Sequence, residues 1–191
     1  MKTIKNDVTI KYEISKSIFI ANLFRVESVD EANKILIDTR RKYSDATHNT
    51  YAYIINNHNK SSDDKEPSGT AGVPILEVLI KNELNNVLCI VTRYFGGIKL
   101  GSGGLIRAYT KACSLAVNEA VITTVVNGKK IKIVTNYNYQ KTIETLLKNY
   151  EYKKEYTDDV TYICNVDDNF LNILDSKNIK YSIIENTKVE L

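Results

Sequence analysis

The sequence predicts an α+β fold in two domains, residues 1–128 and 129–191, on three observations. Up to about residue 126, apolar residues switch between strand and helix periods in the order β-β-α-β-α-β-α, with a further strand at 121–126. Beyond Asn127, Gly128 and Lys129 the order is β-α-β-β-α-β, without a glycine. Seven of the eight glycines and both prolines fall between Pro67 and Gly104. Glycine serves where backbone needs positive φ or close approach and costs stability elsewhere, so special backbone is concentrated in one window.

In chain order, DVTIKYEI (7–14) and IFIANLFRV (18–26) alternate as strands, joined through Ser15–Ser17. Ser28 and Glu31 have capping-box spacing ahead of Val29, Ala32, Ile35, Leu36 and Tyr43, which predicts a helix over 28–43. TYAYII (50–55) reads as a strand and 56–65 as a polar loop. Val73, Leu76, Leu79 and Ile80 mark a helix over 71–84. The β-branched run 87–92 reads as a central strand buried on both faces. After the glycine-rich turn, Leu105, Ala108, Tyr109, Ala112, Ala116 and Ala120 give one broad apolar stripe over 102–120. In the second domain, strands at 130–135, 151–156, 160–166 and 180–185 alternate with helices over 139–150 and 168–176. That is the split βαβ order of a ferredoxin-like domain.

Composition bounds the function. The 191 residues are 43% hydrophobic, enough for a core, and the net charge of +3 is too small to claim a nucleic-acid binder by itself. The charge is uneven: residues 1–130 hold 18 Lys/Arg against 13 Asp/Glu, whereas 131–191 hold 8 against 10. The first part is therefore the better candidate for an anionic partner. Cys89, Cys113 and Cys164 have no C-x-x-C spacing, and Cys89 and Cys113 read as small core residues. The charged, alternating start MKTIKNDVTIKYEI does not look like a signal peptide, and no apolar run approaches a membrane span. A reduced, cytoplasmic protein without membrane contact is expected.

Two segments carry chemistry. At the first, Arg93, Tyr94 and Phe95 lead through Gly96, Gly97 and Lys99 to Gly101, Ser102, Gly103 and Gly104, which open a helix bearing Arg107. Helix N-terminal amides lack intrahelical acceptors and sit at the positive end of the dipole, so bare glycines there let an anion reach them. Neither the dinucleotide fingerprint nor the Walker pattern is met. The alternative is a tight turn with close helix packing and Ser102 as N-cap. In the second segment, Asp63, Asp64 and Glu66 precede Pro67, Ser68, Gly69, Thr70, Ala71 and Gly72. Three close carboxylates suit a divalent cation or acid–base work, or equally a solvated loop whose Ser68 or Thr70 caps the next helix. His48 stands just before a strand, either joining this loop or serving structure. Two histidines do not make a metal site alone, and no hydrolase elbow or zinc-protease motif is present. No metal or cofactor is called.

These same stretches, ATHN (46–49), DDKEPSGTAG (63–72) and TRYFGGIKLGSGGLIRAY (92–109), resemble the IMPACT/YigZ family. Lys16 and Ser17 before Phe19, Ile20 and Ala21 match its early motif, with Ile18 where a basic residue is common. The resemblance covers the whole chain. The family usually reads D-D-G-E-P, so Lys65 occupies a glycine slot. It is strained if that slot needs positive φ; if the slot only admits a ligand, Lys65 blocks it or supplies a cation. The resemblance implies an N-terminal fold similar to the second domain of a small-subunit ribosomal protein, and a C-terminal domain like domain V of translational GTPases. Eukaryotic relatives regulate translation, through a partner system that does not transfer here.

The leading expectation is a translation-associated protein binding RNA or the ribosome through Arg93, Tyr94, Lys99, Gly101–Gly104 and Arg107, with Tyr94 and Phe95 available to stack on bases. The second is an enzyme, a hydrolase or phosphate-handling activity using His48, Asp63, Asp64 and Glu66. The third is a regulator that binds a protein partner through an exposed apolar patch. Oligomeric state is left open.

Overall fold

A computed structural model describes all residues, 1–191. The chain divides into two compact units, Met1–Thr123 and Thr124–Leu191. In the first, β1 (Lys2–Ile4), β2 (Val8–Ile14), β3 (Ser17–Arg25), α1 (Val29–Lys42), β4 (His48–Ile55), β5 (His58–Ser62), α2 (Gly72–Lys81), β6 (Val87–Tyr94) and α3 (Gly101–Glu119) follow in order. Strands β2-β3-β6-β4-β5 form one antiparallel sheet with β6 at its centre.

The sheet is buried on both faces at its centre. On one face Phe19, Leu23, Cys89 and Val91 pack with Ile75, Leu79, Tyr109 and Cys113 from α2 and α3. On the other, Val26, Tyr51, Tyr53, Leu88 and Ile90 pack with Ala32 and Leu36 of α1. This explains the unbroken apolar run of β6. Cys89 and Cys113 are buried thiols within the first of these cores.

Several features differ from expectation, beginning with the short strand β1, which was not expected. Residues 58–62, read as polar loop, form the edge strand β5. It pairs with β4 through a two-residue turn in which Asn56 and Asn57 have φ of 48° and 67°. Asparagine tolerates this left-handed geometry, and type I′ turns match strand twist, so the turn was in the sequence although the strand pattern was not. Ser15 and Lys16 make the same kind of turn between β2 and β3. At α1, the Ser28 hydroxyl accepts from the Glu31 amide at 3.2 Å, as the capping box requires. The Glu31 carboxylate reaches one residue further back than the box, accepting from the Glu27 amide at 2.8 Å.

The strand segments expected on either side of Asn127–Lys129 form one strand, β7 (Ile122–Thr135). The second unit continues with α4 (Gln140–Leu146), flanked by short 3₁₀ turns, then β8 (Tyr152–Tyr156), β9 (Val160–Asp167), α5 (Asp168–Ser176) and β10 (Ser182–Glu190). Its antiparallel order β8-β9-β7-β10 is the ferredoxin-like arrangement. Ile131, Ile133, Tyr162, Phe170 and Leu174 fill its core. The Asp167 carboxylate caps α5, accepting from the Phe170 amide at 2.9 Å. No helix is long and apolar enough to cross a membrane.

Candidate anion site at the start of helix α3

The three neighbouring carboxylates of the 63–66 loop serve three different partners. Asp63 accepts from the amides of Gly69 (2.8 Å), Ala71 (3.0 Å) and Gly72 (2.8 Å). It thereby caps α2 from nine positions upstream, the role expected of Ser68 or Thr70. Partial burial raises its pKa, but the donors from Gly69, Gly72 and Ala71 together outweigh this and hold the carboxyl below its usual value. Asp64 accepts from the Asn49 amide at 2.6 Å and from Arg40 at 3.2 Å. Thr70 donates to the Pro67 carbonyl at 2.6 Å, and Ser68 is exposed. No group of three or more His, Cys, Asp or Glu side chains is arranged to hold a metal ion.

Asp64 and Lys65 have φ of 44° and 70°, and the Glu66 amide closes the turn on the Asp63 carbonyl at 2.9 Å. This is the φ pattern of a type I′ turn. The glycine slot therefore does need positive φ, and Lys65 occupies it in a left-handed conformation with its side chain exposed.

Glu66 takes the opposite course to its neighbours, into the protein, with its side chain only 3% exposed. Its Oε1 accepts from Arg93 at 2.6 Å and from the Tyr109 hydroxyl at 2.7 Å, joining the loop, β6 and α3. Burial first, then the Glu66 charge, push the Tyr109 phenol far above its normal pKa, so it stays a donor. The Arg93 guanidinium lies 5.5 Å from the buried Phe19 ring and 5.5 Å from the half-exposed Phe95 ring. Its Nε is a buried donor with no acceptor.

His48 pairs with Arg93 across β4 and β6. Its Nδ1 lies 2.8 Å from the Asp64 carbonyl oxygen, which only accepts, so Nδ1 carries the proton. Its Nε2 then faces Glu66 Oε2 at 3.7 Å, beyond a direct hydrogen bond. Helical spacing alone makes Tyr109 one more residue of the apolar stripe, because it does not reveal where a hydroxyl points.

Helix α3 begins at Gly101, one residue earlier than expected. Ser102 lies inside its first turn and not at the cap, and the N-cap, Leu100, supplies no side-chain hydrogen bond. A cavity of about 400 Å³ opens at this end, lined by His48, Glu66, Arg93, Phe95, Lys99, Gly101 and Ser102 among others. Asp63 and Asp64 do not line it, and neither do Tyr94, Gly103, Gly104 or Arg107. A larger hollow of about 630 Å³ in the second unit, beside Tyr139, Ile143 and Lys177, gathers none of the candidate residues.

Most of the glycines answer to the fold. Gly101 has φ of 69°, and a Cβ on Gly96 would lie 2.0 Å from the Lys16 backbone. Gly103 does neither: it is helical and exposed, and its added Cβ would meet only the Arg107 guanidinium at 3.5 Å. Tyr94 donates its hydroxyl to Asp45 at 2.8 Å, a bond that raises its pKa, and its ring is half-buried. Lys99 and Arg107 are exposed on either side of the helix's first turn.

Fold and site together define a two-unit α+β protein with a bare helix N-terminus facing a cavity with a buried arginine. The model of the Impact N-terminal domain matches residues 15–117, which contain the whole site. YvyE of Bacillus subtilis (strain 168), an IMPACT family member, is 45% identical over 152 residues, 76% of this chain and 69% of YvyE. The IMPACT family member YigZ of Escherichia coli (strain K12) is 33% identical over 145 residues, 73% of this chain and 71% of YigZ. The crystal structure of a hypothetical protein matches with a TM-score of 0.65 at 26% identity, over 95% of each chain. This chain belongs to the IMPACT family.

Proposed function

We propose that this protein is a translation-associated regulator that binds RNA, or RNA within the ribosome, through the N-terminus of α3. The observation that carries the reading is the first turn of that helix. It has no side-chain cap, and its exposed Gly103 is required by neither φ nor packing. A helical glycine without a structural reason costs about 0.5–1 kcal/mol relative to alanine. A surface kept bare for approach to the amides accounts for that cost. Lys99 and Arg107 flank the turn, and the half-exposed Phe95 offers a face for an unpaired base. The family resemblance, with its ribosomal-protein-like fold, supplies the link to translation as an analogy.

The test is the salt dependence of affinity for a single-stranded RNA. Phosphate contacts release counterions, so affinity falls steeply with salt. Lys99→Ala and Arg107→Ala are each expected to weaken binding and flatten the log–log slope by about 0.7 on a single strand. Absence of binding at low salt, or two unchanged slopes, rejects the reading.

One observation favours a second reading, an enzyme: His48 and Glu66 do converge in the cavity. Against it, Glu66 Oε1 is committed to Arg93 and Tyr109, while Asp63 and Asp64 are engaged outside the cavity. Turnover of a phosphorylated RNA that is lost in His48→Ala would favour the enzyme.

A further inference from the structure

The geometry points to a narrower ligand than an RNA backbone: we infer that the cavity at the start of α3 receives a terminal phosphomonoester of RNA. The inference rests on the proposed RNA-binding reading and deepens it. A phosphodiester inside a strand continues in both directions, so it suits exposed cations such as Arg107, which lies outside the cavity lining. The cavity differs because its inner wall is buried. The side chains of Glu66 and Arg93 are 3% and 6% exposed, and His48 is 16% exposed. A group that reaches this wall must project into the cavity from a chain end.

The donors there suit a group with three free oxygens. The amides at the uncapped start of α3 are one set, at the positive end of the helix dipole. Lys99 contributes an exposed cation to the cavity lining. Arg93 lines the same cavity with its Nη1 paired to Glu66 at 2.6 Å, and its Nε is a fully buried donor without an acceptor. Such a group costs stability unless something else uses it. Phe95 stands over that guanidinium on the cavity side, 46% exposed, and is the surface on which the terminal base stacks. A dianionic monoester binds charge-assisted donors more strongly than a monoanionic diester does.

The experiment compares one RNA oligonucleotide in 5′-phosphorylated, 3′-phosphorylated and 5′-hydroxyl forms, the last one nucleotide longer to keep total charge similar. One phosphorylated form is expected to bind about tenfold tighter than the hydroxyl form, a difference of about 1.4 kcal/mol. Lys99→Ala should reduce that ratio, while Arg107→Ala should weaken all three forms and preserve it. Thermal melts establish that both variants are folded. Equal affinity of the three forms overturns the inference and leaves general RNA binding standing. If no RNA binds but a nucleoside monophosphate does, the monoester site stands with a free nucleotide as its source, and the RNA reading fails. Binding of neither overturns both.

Discussion

At the scale of single residues, the 63–66 loop shows how conformation and charge fix roles that composition leaves open. Lys65 holds φ at 70° without the glycine its family uses. The left-handed region costs an L-residue roughly 1–2 kcal/mol, partly offset because glycine loses about 0.5–1 kcal/mol more chain entropy on folding. Lys65→Gly is therefore expected to stabilise the protein by about 0.5–1 kcal/mol, read as a higher urea midpoint at constant m-value. An unchanged midpoint would mean that the turn does not hold its strained φ. Asp63 offers a second test. As the cap of α2, its replacement by alanine should cost about 1–2 kcal/mol near neutral pH. Its folded pKa lies below the ordinary value of 3.8, so its ionic contribution is present above that value. It is lost as pH falls through the folded pKa, where the unfolded carboxyl is already protonated. The stability gap between wild type and Asp63→Ala should accordingly narrow below about pH 4 and stay constant above it. A gap independent of pH would show that only the neutral hydrogen bonds matter. The strained Lys65 is one of two alternatives that the sequence leaves open, and the Asp63 cap is not legible there. A cap is sought next to its helix, whereas Asp63 reaches α2 only because the chain turns back on itself at 64–65.

At the scale of elements, long periodic segments were readable and roles created by pairing were not. Helices α1 and α3 follow their apolar spacing, and β6 announces its central place by an unbroken apolar run. The edge strand β5 is invisible to such reasoning. Its sequence, HNKSS, has no apolar alternation, and only pairing with β4 makes it a strand. The glycine window behaves in a third way. Its crowding marks the segment that opens α3 beside the cavity, but sequence does not separate glycines required by backbone geometry from those that are not. The structure separates them: Gly104 is held only by a 3.0 Å approach of its would-be Cβ to the Leu100 Cβ, and Gly103 by nothing tighter than 3.5 Å. Gly103→Ala should raise stability by about 0.5–1 kcal/mol, because alanine is the better helix former and its methyl meets only the Arg107 guanidinium, at ordinary contact distance. The same substitution should weaken RNA binding in filter or fluorescence titrations. Greater stability with undiminished binding would make Gly103 incidental and remove the main support for the anion site.

At the scale of the whole molecule, the distribution of charge depends on where the first unit ends. Counted to residue 130, the N-terminal part holds five more Lys/Arg than Asp/Glu. Counted over Met1–Thr123 the excess is three, with 16 Lys/Arg against 13 Asp/Glu, because Lys129 and Lys130 belong to the second unit. Both are placed on β7 and engage its neighbour β10: Lys129 contacts Asn186, and Lys130 lies 3.0 Å from Glu185. A small net excess spread over a surface is a poor explanation of RNA affinity at physiological salt, where the screening length is about 8 Å. Under the proposed RNA-binding function, local geometry at α3 would do most of the work, and this is testable on the intact chain. The double substitution Lys129→Ala and Lys130→Ala removes as much positive charge as Lys99→Ala and Arg107→Ala combined. If net charge governs binding, the two pairs should flatten the salt dependence equally. If the α3 terminus governs it, the Lys129/Lys130 pair should leave the slope nearly unchanged. The Lys99/Arg107 pair should lower it by about 1.4, the value for two lost contacts to a single strand. Equal slopes for the two double variants would move the binding surface away from α3 and return the explanation to bulk charge.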